Sequence, residues 1–328
     1  MFQLRAAAVA LAMFVGVGTA NAQTKEIIIG HFGTPMPMHG AYADIEKATG
    51  YKISWRKFDA GTDVIAAMAS GSIKLSELGS SPLAIGASQG VDYQLFAISN
   101  VIGAAEALVA RNGAGIDKLE DIKGKKVAVP LGSTAHFSLM GAMRHAKIDS
   151  KSVTILGMKP DQLVAAWSQK QIDAAYVWDP ALAKIKADGK VIVHSGQVAE
   201  WGNPTFDGWV VNPAWAKENA AFMTAFLKAI DKINTNYRDN GAKWTATTPE
   251  VLAIAKATGS KPQDVAEGLP GYQFPSAKDQ ASNAWLGKAS AEGMLATAEF
   301  LVAEKRISKA LTDYKKFVTT EYLQQATK

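Results

Sequence analysis

The 328-residue sequence contains no cysteine. That excludes disulfides, thiolate nucleophiles, thiolate metal sites and iron–sulfur clusters together, so the fold must be held by its core alone. Charge is also scarce. Charged residues make up 20% against 48% hydrophobic, and 35 basic residues nearly balance 30 acidic ones, leaving +5. Blocks of like charge, polar low-complexity tracts and short-period repeats are missing, which argues against disordered tails and repeat arrays. Neither G-x-x-x-x-G-K-[ST] nor a strand-borne G-x-G-x-x-G occurs, so a nucleotide has no cradle of a known sequence type. HExxH is missing too. The histidines (His31, His39, His136, His145, His194) stand in no cluster that suggests a metal. No cofactor and no nucleic-acid partner are expected.

The one long apolar run lies at the start. Arg5 precedes AAAVALAMFVGVG (6–18), and Ala20-Asn21-Ala22 follows as an A-x-A cleavage site. The run is too short to span a bilayer and reads as a secretory leader. Residues 1–22 are therefore set apart as a signal peptide, the mature chain begins at Gln23, and the product is exported.

From Glu26 onward, short β-rich runs alternate with helical stretches, the pattern of sheets covered by helices. EIIIGHF (26–32), YKISWRKF (51–58), KLSELG (74–79) and DYQLFAIS (92–99) read as strands of a first unit. EALVAR (106–111) closes that unit; a new one beginning near Asp117 holds KKVAVP (125–130), VTILGM (153–158), DAAYVWDP (173–180) and KVIVHS (190–195), and TFDGWVVN (205–212) is a last strand. After it the pattern is helical, including 220–241, 249–259 and a long stretch over 277–304. The expected fold is α/β and two-lobed, with residues 23–108 and 208–328 forming lobe 1 and its C-terminal helices. Residues 109–207 form an inserted lobe 2. The chain is expected to cross between lobes near 107–112 and 203–210, with a ligand cleft where strand ends of the two lobes face each other.

Two strand ends run into similar turns. KLSELG leads into Ser80-Ser81-Pro82, where Ser81 reads as N-cap, Pro82 as N1 and Gly90 as the stop. KKVAVP leads into Gly132-Ser133-Thr134 and another helix. Helix starts offer unpaired N–H groups and the positive end of the helix dipole, which suits an oxyanion. Serine at a helix start is commonplace, so either turn alone says little; one per lobe says more. Opposite charge is also present. Glu106 and Asp207 open apolar runs at the expected crossings, and Trp178 and Trp209 lie near Asp179 and Asp207. Isolated strand-end acids and core tryptophans are common. Combined, though, acid and aromatic side chains are what an ammonium group prefers. The residues thus describe a ligand anionic at one end and cationic at the other.

WRKFDAGTDVIAAMASG, LGSSPLAIGASQG, GAAEALVAR, EDIKGKKVAVPLGSTAHFSLMGAM, IDAAYVWDPAL and GNPTFDGWVV resemble, in order and spacing, the taurine-binding branch of one receptor family. This is the nitrate, sulfonate and thiamine-precursor binding family of periplasmic solute receptors for ABC importers. The resemblance spans about residues 27–212. It implies a type II periplasmic binding protein that closes around taurine (2-aminoethanesulfonate), acts as a monomer and delivers to an inner-membrane permease. It also implies that Ser80 and Ser81, with Ser133, Thr134 and His136, face the sulfonate. Glu106 and Asp207 would take the ammonium, and Trp178 would wall the pocket. Asp179 departs from the family pattern and would either favour another amine or face solvent. Alkanesulfonates, nitrate or a thiamine precursor are alternative ligands.

A competing motif is Gly86-Ala87-Ser88-Gln89-Gly90, which satisfies the G-x-S-x-G of a hydrolase elbow. An elbow serine sits on a sharp strand-to-helix turn. Ser88 falls late in the segment between Pro82 and Gly90, so it is expected near a helix end, without catalytic use.

Overall fold

A computed structural model describes residues 25–328; the expected leader lies outside the described residues. Strands β1 (Lys25–His31), β2 (Tyr51–Lys57), β3 (Leu75–Gly79), β4 (Gln94–Ile102), β10 (Phe206–Val211) and β11 (Tyr272–Gln273) form one sheet. Its order is β11-β4-β10-β3-β1-β2. Strands β5 (Glu106–Arg111), β6 (Lys126–Val129), β7 (Thr154–Gly157), β8 (Ala174–Trp178) and β9 (Gly189–His194) form a second, ordered β7-β6-β8-β5-β9. The central strands β3, β6 and β8 are almost wholly buried, as cover on two faces requires, while β2 and β7 at the sheet edges are largely exposed. The largest core cluster surrounds the first sheet and the C-terminal helices, and two smaller ones lie on either side of the second.

Strand direction matters most for the site. β1, β2 and β3 run parallel, as do β6, β7 and β8. β10 lies antiparallel between β3 and β4, and β5 antiparallel between β8 and β9. The beginnings of β10 and β5 therefore sit beside the carboxyl ends of their neighbours: Asp207 pairs with Gly79, and Glu106 with Trp178.

Helices follow the expected stretches, with differences that have local causes. Helix α1 (Tyr42–Thr49) ends at Gly50, whose φ is 69°, and α2 (Gly61–Ala69) is followed by Gly71 at 71°. Glycine adopts this left-handed conformation without a Cβ penalty. Helix α3 (Ser80–Ser88) is capped by Gly79, so it starts earlier than expected and Ser81 is not the N-cap. The stretch 277–304 is not continuous. It divides into Ala277–Gln280 and Ala289–Ala303, interrupted by turns in which Trp285 N and Gly287 N donate to Ser282 O at 3.1 and 2.9 Å. Among the described residues no helix is long and apolar enough to cross a membrane.

The first crossing between sheets falls at 103–105, earlier than expected, so residues 106–108 pair in the second sheet and not in the first. Gly103 N and Ala105 N both donate to Gly271 O, at 3.0 and 3.3 Å. A Cβ on Gly103 would stand 2.7 Å from that same oxygen, so only glycine allows the approach. The return crossing lies between helix Ser195–Glu200 and β10.

Candidate functional site in the cleft between the sheets

Two helix starts face each other across the cleft. Strand β3 ends at Gly79 and passes into α3; β6 ends at Val129 and passes through Gly132 into α4 (Thr134–His145). Gly132 takes φ 79°, and the Ser133 hydroxyl caps α4 by accepting from His136 N at 3.2 Å while donating to Pro130 O at 2.6 Å. The first N–H groups of both helices have no intrahelical acceptor. The approach is close: a Cβ on Gly79 would lie 3.0 Å from Thr134 Cγ2 and 3.3 Å from Asp207 Oδ1. Between these starts is a small cavity of about 30 Å³, walled by Phe32, Thr34, Ile102, Glu106, Ser133, Thr134, Trp178, Asp207 and Tyr272 among others. Room of that size suits water, so a larger guest requires the lobes to part.

Buried acids dominate the electrostatics. Glu106 is 1% exposed, and its two oxygens accept from Thr134 Oγ1 at 2.6 Å and Ser195 Oγ at 2.7 Å. Ser138 Oγ and Tyr176 OH lie 3.0 and 3.1 Å from Ser195 Oγ, extending the network. Burial pushes the Glu106 carboxyl up to about 7 against the pull of these hydroxyls. Asp207 is pushed up to about 6 by burial, opposed by Asn100 Nδ2, which donates to it at 3.1 Å. A third acid, Glu77, lies on the same face of β3 as Gly79, two residues away. It is 2% exposed and accepts from Ser99 Oγ at 2.5 Å. Burial and then the nearby Asp207 charge raise it to about 8. Among the described residues, no lysine, arginine or histidine forms an ion pair with Glu77, Glu106 or Asp207. Two buried acids and a partly buried third without a cation are costly for an isolated protein.

The residues singled out in the sequence divide into two groups. Glu106, Ser133, Thr134, Trp178 and Asp207 come together on the cavity wall. Ser80, Ser81 and His136 do not line it. Ser80 Oγ accepts from Phe206 N at 3.4 Å, and Ser81 Oγ donates across the cleft to Gly132 O at 3.1 Å. His136 Nδ1 accepts from Gly132 N at 3.4 Å, and burial, then the Arg306 charge, lower its ring to about 4, so it is neutral. Trp209, fully buried, belongs to the core. Asp179 is absent from that wall and instead lines a separate pocket with Lys186 and Gly268. It is 6% exposed, accepts from Ala183 N at 3.0 Å at the start of helix Ala181–Lys186, and presses on Gly268.

Residues not foreseen are Glu77, Tyr272, Phe32 and Thr34. Glu77 left a signal: in LSELG it shares the period-2 face that ends on Gly79. Tyr272 left none, because a two-residue strand has no readable period. Ser88 is the last residue of α3, donates to Ala84 O at 2.7 Å and lies 2.5 Å from Tyr314 OH. It sits on no strand-to-helix turn.

Comparison with known proteins agrees with this architecture. The NMT1/THI5-like family model matches residues 50–240. The chain belongs to that family. The taurine-binding periplasmic protein of Escherichia coli K12 is 34% identical over 306 residues, 93% of this chain and 94% of that one. A putative aliphatic sulfonates-binding protein of Bacillus subtilis 168 is 27% identical over 66% of this chain and 67% of its own. Among solved structures, the alkanesulfonate-binding protein SsuA of Xanthomonas axonopodis pv. citri, bound to MOPS, superposes with a TM-score of 0.74 at 20% identity. That match covers 91% of this chain and 99% of that one. The desulfurization enzyme DSZB shares the fold at 12% identity and a TM-score of 0.67, so fold alone does not separate binder from enzyme. Relatedness does: the chain is 34% identical across 93% of its length to a periplasmic binding protein, and it is a binding protein, not an enzyme.

Proposed function

We propose that this solute-binding protein captures taurine in the periplasm and hands it to an inner-membrane ABC permease, as a monomer exported by cleavage after Ala22. The observation that carries the reading is the pair of acids, buried Glu106 and partly buried Asp207, on one cavity wall with no protein cation beside them. A ligand ammonium supplies the missing charge. The sulfonate is assigned to the starts of α3 and α4, where N–H groups and helix dipoles favour an anion that needs donors and no base. Ser80, Ser81 and His136 support these turns, and Ser133 and Thr134 border the anion. Trp178 walls the site. The 34% identity to the Escherichia coli taurine-binding protein supports the same ligand.

Isothermal calorimetry tests this. Taurine is expected to bind with micromolar or better affinity. Ethanesulfonate, which leaves buried acids unpaired, is expected to bind at least about a hundredfold more weakly. Asp207→Ala should weaken taurine far more than ethanesulfonate. Equal affinities in the unmutated protein would shift the reading to alkanesulfonates, which the Bacillus and Xanthomonas relatives favour.

A further inference from the structure

The wall around the two acids is aromatic, and this bears on which amines the site admits; the inference rests on the taurine reading and narrows it. Trp178 is the cross-strand partner of Glu106, so indole and carboxylate share one face of the second sheet. Tyr272 closes the site from the first sheet, where it pairs with Ile102, and burial and then the charges of Asp179, Asp207, Glu106 and Glu77 act on its hydroxyl. Phe32 completes the wall.

A primary ammonium has three N–H groups to place. Glu106 and Asp207 provide for two of them, one each. Their remaining capacity is reduced, since both Glu106 oxygens and one Asp207 oxygen already accept bonds from Thr134, Ser195 and Asn100. The same wall carries the Phe32, Trp178 and Tyr272 rings beside the Thr34, Ser133 and Thr134 hydroxyls, so the third N–H is the one left to meet ring carbon. A methyl group there would contact aromatic carbon and keep the positive charge, and attraction of a cation to a ring face requires no N–H. A quaternary ammonium would retain no N–H for either acid.

We propose that the cleft accepts N-methylated secondary-ammonium sulfonates alongside taurine, held by Glu106 and Asp207 against Phe32, Trp178 and Tyr272, and that it rejects quaternary ones. Calorimetry on the chain lacking residues 1–22, with taurine, N-methyltaurine, N,N,N-trimethyltaurine and ethanesulfonate, tests it. N-methyltaurine is expected within about tenfold of taurine, and the trimethyl compound at least about a hundredfold weaker. Tight taurine with N-methyltaurine as weak as ethanesulfonate overturns the inference and leaves the taurine reading standing. Absence of taurine binding overturns both. A trimethyl compound as tight as taurine removes the claimed N–H role of the acids. Tyr272→Leu should weaken N-methyltaurine about fivefold more than taurine if the ring receives the methyl; equal losses overturn its part.

Discussion

Glu77, Glu106 and Asp207 are raised to about 8, 7 and 6, each chiefly by burial. An acid raised in the folded state binds protons more tightly there than in the unfolded chain. Its contribution is fully present below the unfolded pKa near 4 and is lost as pH rises through the folded value. His31, His39 and His136, lowered by burial to about 4, 3 and 4, act in the opposite sense between their folded values and about 6.5. Above about 6.5 the acids dominate, so the ligand-free protein is expected to lose melting temperature from there to pH 8. An ammonium ligand needs ionised acids, so taurine should bind more tightly over the same interval. Thermal melts with and without taurine across pH 5–8 check both trends; a taurine-induced shift that does not grow with pH contradicts the charge pairing. Glu77→Gln should flatten the ligand-free decline. That Glu106 and Asp207 deserved attention was readable from acids opening apolar runs. That Asp179 did not was unreadable, because its partner Gly268 lies far along the chain.

At the scale of elements, the two helix starts differ in how they use glycine. Gly132 needs its left-handed φ of 79°, and a Cβ there would stand 3.2 Å from Ile85 Cδ1 on α3. Gly132→Ala should cost about 1–2 kcal/mol of stability from backbone strain alone. Gly79 has an ordinary φ of −66°, so any residue suits its backbone. Its added methyl would instead press on Thr134 across the cleft and on Asp207 beside it in the same sheet. Gly79→Ala should therefore leave the melting temperature nearly unchanged and weaken ligand affinity. Comparing melts with calorimetry for the two variants separates strain from obstruction. The glycine–serine turns were legible as helix starts, since capping is local chemistry. The cap at Gly79 was not: α3 begins directly after the last residue of β3, and no side chain caps it.

For the whole molecule, closure rests on contacts far apart in sequence. Lys159 and Asp63 pair across the lobes at 2.8 Å, exposed and therefore worth well under about 1 kcal/mol. Helix Ala289–Ala303 reaches further: Phe300 meets Phe137 edge-on at 5.0 Å and lies under Arg144 at 4.6 Å, both on α4. Each such aromatic contact contributes on the order of 0.5–1.5 kcal/mol. Phe300→Ala should loosen taurine binding several-fold without touching the ligand and enlarge the radius of gyration of the taurine-bound protein in X-ray scattering. Unchanged affinity and size would make Phe300 a packing residue of one lobe.

By itself the sequence determined the alternation of strands and helices, the two strand-to-helix turns, the acids at the start of EALVAR and FDGWVV, and the late, unproductive place of Ser88. All of these follow from neighbours within a few residues, where periodicity and capping operate. Only the tertiary structure decided that β5 and β10 run antiparallel, which carries Glu106 and Asp207 to the strand ends of their neighbours. It also decided that Glu77 joins them and that Tyr272, from a two-residue strand in the helical tail, closes the wall. Strand direction and distant pairing depend on how whole faces bury one another, and no local spacing records that.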